Sequence, residues 1–184
     1  MTKLLLSIHV IAAILAIGPV AVAASRFPAA TRRLLAVVDP PAGAPEPPAG
    51  APDPTAAVPP AAMNRAVEAA LAVRAEREVS ELRTLHRICR VYAVVGIAVP
   101  AFGLATARSL DVLGDPWLII SITLTAIAAA VLVLLVLPGQ ERVLTATPDE
   151  KTPARLAMHA GLFNLLWATV TVLMITRPGS TTGV

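Results

Sequence analysis

Three histidines are the side chains in this chain best suited to hold a metal or a haem iron: His9, His86 and His159. A haem in a helical bundle needs two axial ligands at about the same depth. His9 falls about five residues from one end of an apolar run, and His159 about three residues from the opposite end of another. At 1.5 Å per residue this separates them by roughly 18 Å of depth, so one iron cannot take both. His86 and His159 fall toward the same side and form the candidate cofactor-binding pair, but no carboxylate accompanies either at ligand spacing. The simpler reading is that His9 hydrogen-bonds a neighbouring helix and His86 is an interfacial cation, so no cofactor is assigned. The lone Cys89 excludes an internal disulfide and a Cys-based zinc site. No phosphate loop, catalytic triad or HExxH stretch occurs. No catalytic residue is assigned, and the expectation is a protein that is not an enzyme.

One further polar group lies inside an apolar run. Asn164 is nine residues into the stretch 156–175 and is expected near the centre of a bilayer, where an amide must face a neighbour. Together with His9 it makes the candidate interior polar contacts. Structural hydrogen bonding is the first reading. The second is a small transporter or channel with Asn164, Thr123 and Thr125 on its path. Apart from His9, no acid or base lies deep in an apolar run, which argues against a proton-driven relay.

The elements that position these residues are apolar helices. The 184 residues are 56% hydrophobic and only 15% charged, with a mean hydropathy of +0.73. That composition belongs to the membrane class. Trp117 to Leu137 is 21 residues without charge, Pro or Gly. A hydrocarbon core about 30 Å thick needs about 20 such residues. Trp117 suits the headgroup interface, and Pro138-Gly139 is expected to end the helix sharply.

Leu4 to Ala24 is a second span. Its Ala21-Val22-Ala23 also fits a signal-peptide cleavage site, but the run exceeds the usual 7–15-residue core and Arg26, Arg32 and Arg33 follow it. A retained helix, kinked at Gly18-Pro19, is the first reading. Val91 to Ala107 is a short span with a kink expected at Pro100, and residues 156–175 make the fourth. The predicted spans are 4–24, 89–107, 117–137 and 156–175. Residues 108–116 and 138–153 read as polar loops, with Thr152 an N-cap and Pro153 a first helical residue. Ala12/Ala16 and Ala157/Gly161 offer small faces for close helix packing.

Between the first two spans lies a different composition. Residues 39–60, DPPAGAPEPPAGAPDPTAAVPP, form a Pro/Ala/Gly-rich near-repeat that reads as a disordered linker. Ala61 to Leu85 is rich in Ala, Glu, Arg and Leu and reads as a helical stalk. Its Arg74/Glu78 and Arg77/Glu81 are spaced to pair along the helix. The chain thus divides into 1–38, a first transmembrane helix with a basic flank; 39–60, the linker; and 61–184, the stalk and three further spans.

Charge sets an orientation. Twelve of the fifteen Lys and Arg residues fall in residues 25–90 or 138–155; Lys3, Arg108 and Arg177 fall on the other side. By the positive-inside rule both termini are outside a plasma membrane and residues 25–90 are cytoplasmic. The same rule accounts for a pI near 9.8 without nucleic acid, since no aromatic-basic stacking surface accompanies the charge.

Three stretches carry a resemblance: SIHVIAAILAIGPVAVAASRFP from Ser7, LHRICRVYAVVGIAVPAFGLATA from Leu85, and RLAMHAGLFNLLWATVTVLMITRPGS from Arg155. They resemble an uncharacterised family of predicted integral membrane proteins from actinobacteria. The resemblance omits the third span and the Pro-rich insert. It implies four transmembrane helices and no activity. The expected fold is therefore all-α, a polytopic four-helix transmembrane bundle with a disordered Pro-rich cytoplasmic loop and a helical stalk. The expected function is a non-enzymatic accessory or scaffolding component of a membrane assembly. Its partners would be the lipid bilayer and either another membrane protein or a second copy. A haem-binding redox protein is the third reading, after the transporter.

Overall fold

The structure is a computed structural model that describes Thr2–Val38 and Pro60–Gly179. The expected linker, but for Pro60, lies outside the described residues. Those described form helices and their connections only: α1 (Thr2–Val38), α2 (Pro60–Val95), α3 (Ala98–Leu110), α4 (Pro116–Val131), a π-helical turn (Leu132–Val136), α5 (Leu137–Thr145) and α6 (Thr152–Thr176). Four continuous or near-continuous helical stretches are long and apolar enough to cross a membrane: Lys3–Val38, Ala61–Leu110, Pro116–Thr145 and Thr152–Thr176. Their outer faces carry the apolar side chains, among them Ile14, Val94, Leu134, Leu165 and Ile175. Such a surface suits hydrocarbon and is costly in water.

Helix α1 packs against α2, α3 and α6, and α4 packs against α6. The core runs through Val20, Ala23, Ala24 and Phe27 on α1, Leu82, Leu85 and Cys89 on α2, Ala128 and Val131 on α4, and Leu156, Ala160 and Phe163 on α6. Small residues let α1 approach its neighbours, since Ala16, Ala23, Ala24 and Ala30 are all buried. On α6 the small contact is made by Ala160. Ala157 and Gly161, the expected packing face, are exposed, and a side chain added at Gly161 would meet nothing within 4 Å.

Several sequence expectations change at helix ends. Helix α1 does not stop at Ala24: it continues through Pro19 and Pro28 to Val38. The reason is a partner. Phe27, Ala30, Thr31 and Leu34 recur at helical spacing and are buried, with Leu82 and Leu85 in the same cluster. Thr31 satisfies its hydroxyl by donating to the Phe27 carbonyl at 2.9 Å.

Helix α2 is unbroken from Pro60 to Val95 and then breaks at Gly96-Ile97, upstream of the expected kink at Pro100. Pro100 has no amide to give the Gly96 carbonyl, its normal partner one turn back. The Val99 amide takes that carbonyl at 3.1 Å instead. The helix therefore restarts, at Ala98, rather than bending.

Pro138-Gly139 does not end the third span. The turn Leu132–Val136 widens to π geometry, and the Leu137 amide donates to the Leu132 carbonyl. A widened turn relieves the clash between the proline ring and the preceding carbonyls, so the helix runs on to Thr145. Gly139 then admits Leu156 of α6: a Cβ there would lie 2.9 Å from Leu156 Cδ2. The expected loop 138–153 shrinks to Ala146–Lys151. Helix α6 begins at Thr152 with Lys151 as its cap residue. The Thr152 hydroxyl turns back to the Asp149 carboxylate rather than capping the helix.

Candidate functional site

The polar groups of the bundle gather in four places. The first joins α1 to α3. His9 Nδ1 lies 3.0 Å from the Val99 carbonyl oxygen. A carbonyl only accepts, so Nδ1 carries the proton in this contact. The ring fits because Gly103 has no side chain; a Cβ there would be 2.9 Å from His9 Cε1.

The second place is a buried chain between α1, α2 and α5. Gln140 is fully buried. Its Nε2 donates to Cys89 Sγ at 3.5 Å, and its Oε1 accepts from His86 Nδ1 at 3.2 Å. The Cys89 thiol points to the Val20 carbonyl of α1 at 4.0 Å. Sequence reading put Gln140 in a polar loop and missed it. The signal was present: Val136, Gln140 and Val143 lie at helical spacing, and all three are buried.

The third place is on α6. Asn164 Nδ2 donates to Ser25 Oγ of α1 at 2.9 Å, while Asn164 Oδ1 and the indole nitrogen of Trp167 are buried without a partner. Phe163 meets Trp167 edge to face, ring centroids 6.3 Å apart. Ser25 directly precedes Arg26, whose guanidinium reaches Glu81 at 3.1 Å. The α1 partner of Asn164 is thus one residue from a charge, which sits poorly with a place at the centre of a bilayer.

The fourth place is a cleft of about 380 Å³ between the α4–α5 helix and the start of α6. Leu134, Leu135, Pro138 and Arg142 line it from the α4–α5 helix, and Arg155 and His159 from α6. His159 Nδ1 is buried without a partner. Arg155 reaches Asp149 at only 3.8 Å, with both side chains more than half exposed. The Thr152 hydroxyl, and secondarily Arg155, hold the Asp149 carboxyl below its ordinary value.

His86 and His159 therefore belong to different places. Gln140 accepts from the first, and the second lines the cleft. Among the described residues no group of three or more His, Cys, Asp and Glu side chains could hold a metal ion. Thr123 and Thr125 bond back to the Ile119 and Ser121 carbonyls of their own helix, and Thr123 is exposed.

At the opposite end of the bundle Trp117 is buried, not interfacial in exposure. Its indole donates to Asp115 at 2.9 Å, and the Arg177 guanidinium lies 5.7 Å from its ring centroid. This ties the start of α4 to the end of α6 by a cation–π contact.

Beyond the shared core, α1 and α2 form an antiparallel hairpin. Arg33 donates to Glu78 at 3.0 Å and to Glu81 at 2.7 Å. These acids were expected to pair with Arg74 and Arg77 along α2; they pair across to α1 instead. Glu78 raises the Arg33 pKa further above its ordinary value. The arginines and acids are partly exposed, so such pairs contribute only about 0.2–1 kcal/mol each. Burial of a large apolar side chain from water contributes about 1.5–3 kcal/mol, so Leu34 and Leu82 outweigh the ion pairs in holding the hairpin. No protein-family model, curated protein or solved structure matches this chain.

Proposed function

We propose that the chain is a multi-pass membrane protein without enzymatic activity that supports a membrane assembly through its α1–α2 hairpin. The observation that carries this reading is the reach of α2. Arg33 faces Glu78, and α1 ends five residues later at Val38. In an antiparallel pair that end falls near Val73. Ala61 to Arg74 therefore extends past α1 and is exposed nearly throughout. Met63, Val67 and Leu71 form an apolar stripe along it at a spacing of four. Its occupant would be another membrane protein or a second copy.

The orientation proposed is that of the positive-inside rule, with the hairpin cytoplasmic, both termini outside and the Pro-rich linker in the cytoplasm. The resemblance to actinobacterial membrane proteins belongs to the same proposal and adds no activity to it.

Gently solubilised membranes test the assembly reading by particle mass. The full chain is expected in a particle heavier than one copy, and deletion of residues 61–71 is expected to return it to single-copy mass. A full-length protein already at single-copy mass would overturn the reading. Labelling of Ser180→Cys tests the orientation: it should react from outside intact cells, and reaction from the cytoplasm alone would reverse the topology.

A further inference from the structure

We infer that the cleft between α5 and α6 binds the phosphate of an anionic phospholipid, with an acyl chain lying against Leu134 and Leu135. The inference rests on the membrane reading, not on the assembly reading. Two observations on different elements converge. The cleft sits where apolar runs meet charge: Leu137 ends the run on its α4–α5 side, with Arg142 following, and Leu156 starts it on α6, with Arg155 preceding. Its lining includes Arg142 of α5, which makes no ion pair among the described residues, and Arg155 of α6, whose contact with Asp149 is long and exposed. His159 of α6 also lines it.

Two guanidiniums that face one space repel each other unless an anion is shared, and guanidinium geometry matches phosphate oxygens in pairs of hydrogen bonds. The Asp149 carboxylate offsets only one of them, and it already accepts from Thr152. The apolar lining decides the source of the phosphate. Leu134 is 68% exposed and Leu135 40%, and together they make an apolar strip leading from the cleft onto the lipid-facing side of the π-helical turn. A free phosphate ion has no use for that strip; an acyl chain does. A volume of about 380 Å³ suits a headgroup, since small-molecule sites run from about 300 to 1,000 Å³. Basic pockets between helices at a membrane surface are a general way to hold anionic headgroups.

The test is native mass spectrometry of the full chain, released from micelles that contain equal amounts of phosphatidylglycerol and phosphatidylcholine. The expected result is one retained phosphatidylglycerol per chain, favoured by about tenfold, the ratio that about 1.4 kcal/mol gives. Arg142→Ala with Arg155→Ala should abolish the preference, whereas Arg142→Lys with Arg155→Lys should keep most of it. Arg87→Ala with Arg90→Ala removes equal charge elsewhere in the basic band and should leave the preference unchanged. Equal retention of the two lipids would overturn the inference, as would a preference that survives the double alanine variant. Equal loss in the Arg87/Arg90 variant would reduce it to general charge attraction and overturn it too. Inorganic phosphate at millimolar concentration is expected not to displace the lipid; displacement would assign the site to the free ion. Helicity and membrane recovery are followed for each variant, and the lysine pair gives a folded comparison if the alanine pair does not fold. Failure of the underlying membrane reading would be seen separately, as wild-type protein recovered from the soluble fraction.

Discussion

The side-chain amide of Gln140 donates to the sulfur of Cys89, joining α5 to α2 at 3.5 Å inside the core. Neither residue is exposed, so the contact is sealed from both water and lipid. It fixes the depth at which the third apolar helix meets the second.

Gln140→Ala is expected to destabilise the bundle by about 1–3 kcal/mol, the usual cost when a buried polar partner is left unsatisfied. Gln140→Leu should cost less, because it keeps volume. Thermal unfolding in detergent gives the order. The rate at which a maleimide reaches Cys89 should rise in the alanine variant and stay near wild type in the leucine variant; equal rates in all three proteins would show that the amide does not close this region.

Ser25→Ala and Asn164→Leu should be non-additive. Hydrogen bonds between membrane helices average about 0.6 kcal/mol and reach about 1.7, so the coupling in a double-mutant cycle should fall in that range. Each single variant is expected to insert and fold. If Asn164→Leu is stable and inserted yet fails to complement a deletion strain, the amide has a role beyond joining α1 to α6.

Arg33→Ala should lower the stability of the hairpin by no more than about 1 kcal/mol, because all three ion-pair partners are partly exposed. Leu82→Ala should cost about 2–5 kcal/mol, the range for buried leucine. Hydrogen exchange in α2 measures both, and a larger effect from Arg33 than from Leu82 would invert the ranking given to charge and packing here.

Asp149 supplies a pH dependence. Its carboxyl titrates below its ordinary value of 3.8 chiefly because the Thr152 hydroxyl donates to the ionised form. A depressed folded pKa adds stability that is present above the unfolded value and is lost as pH falls through the folded one. The start of α6 should therefore loosen only below about pH 4. Thr152→Val is expected to move the Asp149 carboxyl upward in a carbon-13 titration, and an unmoved carboxyl would remove the hydroxyl as the cause.

The apolar runs were legible because uniform apolarity over about 20 residues has few other uses. Ile14, Leu134 and Leu165 need no particular neighbour to be read correctly. The helix ends were not legible, because each is decided by a partner distant in sequence. Pro138 reads as a stop until Leu132–Val136 widens; Arg33 reads as part of an interfacial flank until Glu78 and Glu81 arrive from α2. His86 and His159 share a side of the bundle by counting, but Gln140 of α5 takes His86, while His159 lines the cleft between α5 and α6. Gln140 was hidden behind a proline that local rules treat as the end of its helix.

The widened turn at Leu132–Val136 has a consequence for comparison between chains. A π turn holds one residue more than an α turn, and one residue is about 100° of helical rotation. A relative with a plain α-helix here would superpose on this chain only with a one-residue gap inside an unbroken apolar run. A proline there would clash with the preceding carbonyls, and its counterpart of Gln140 would stand one position closer to Trp117. Aligned without that gap, the two sequences would seem to disagree about which face of the helix is buried, although their folds agreed.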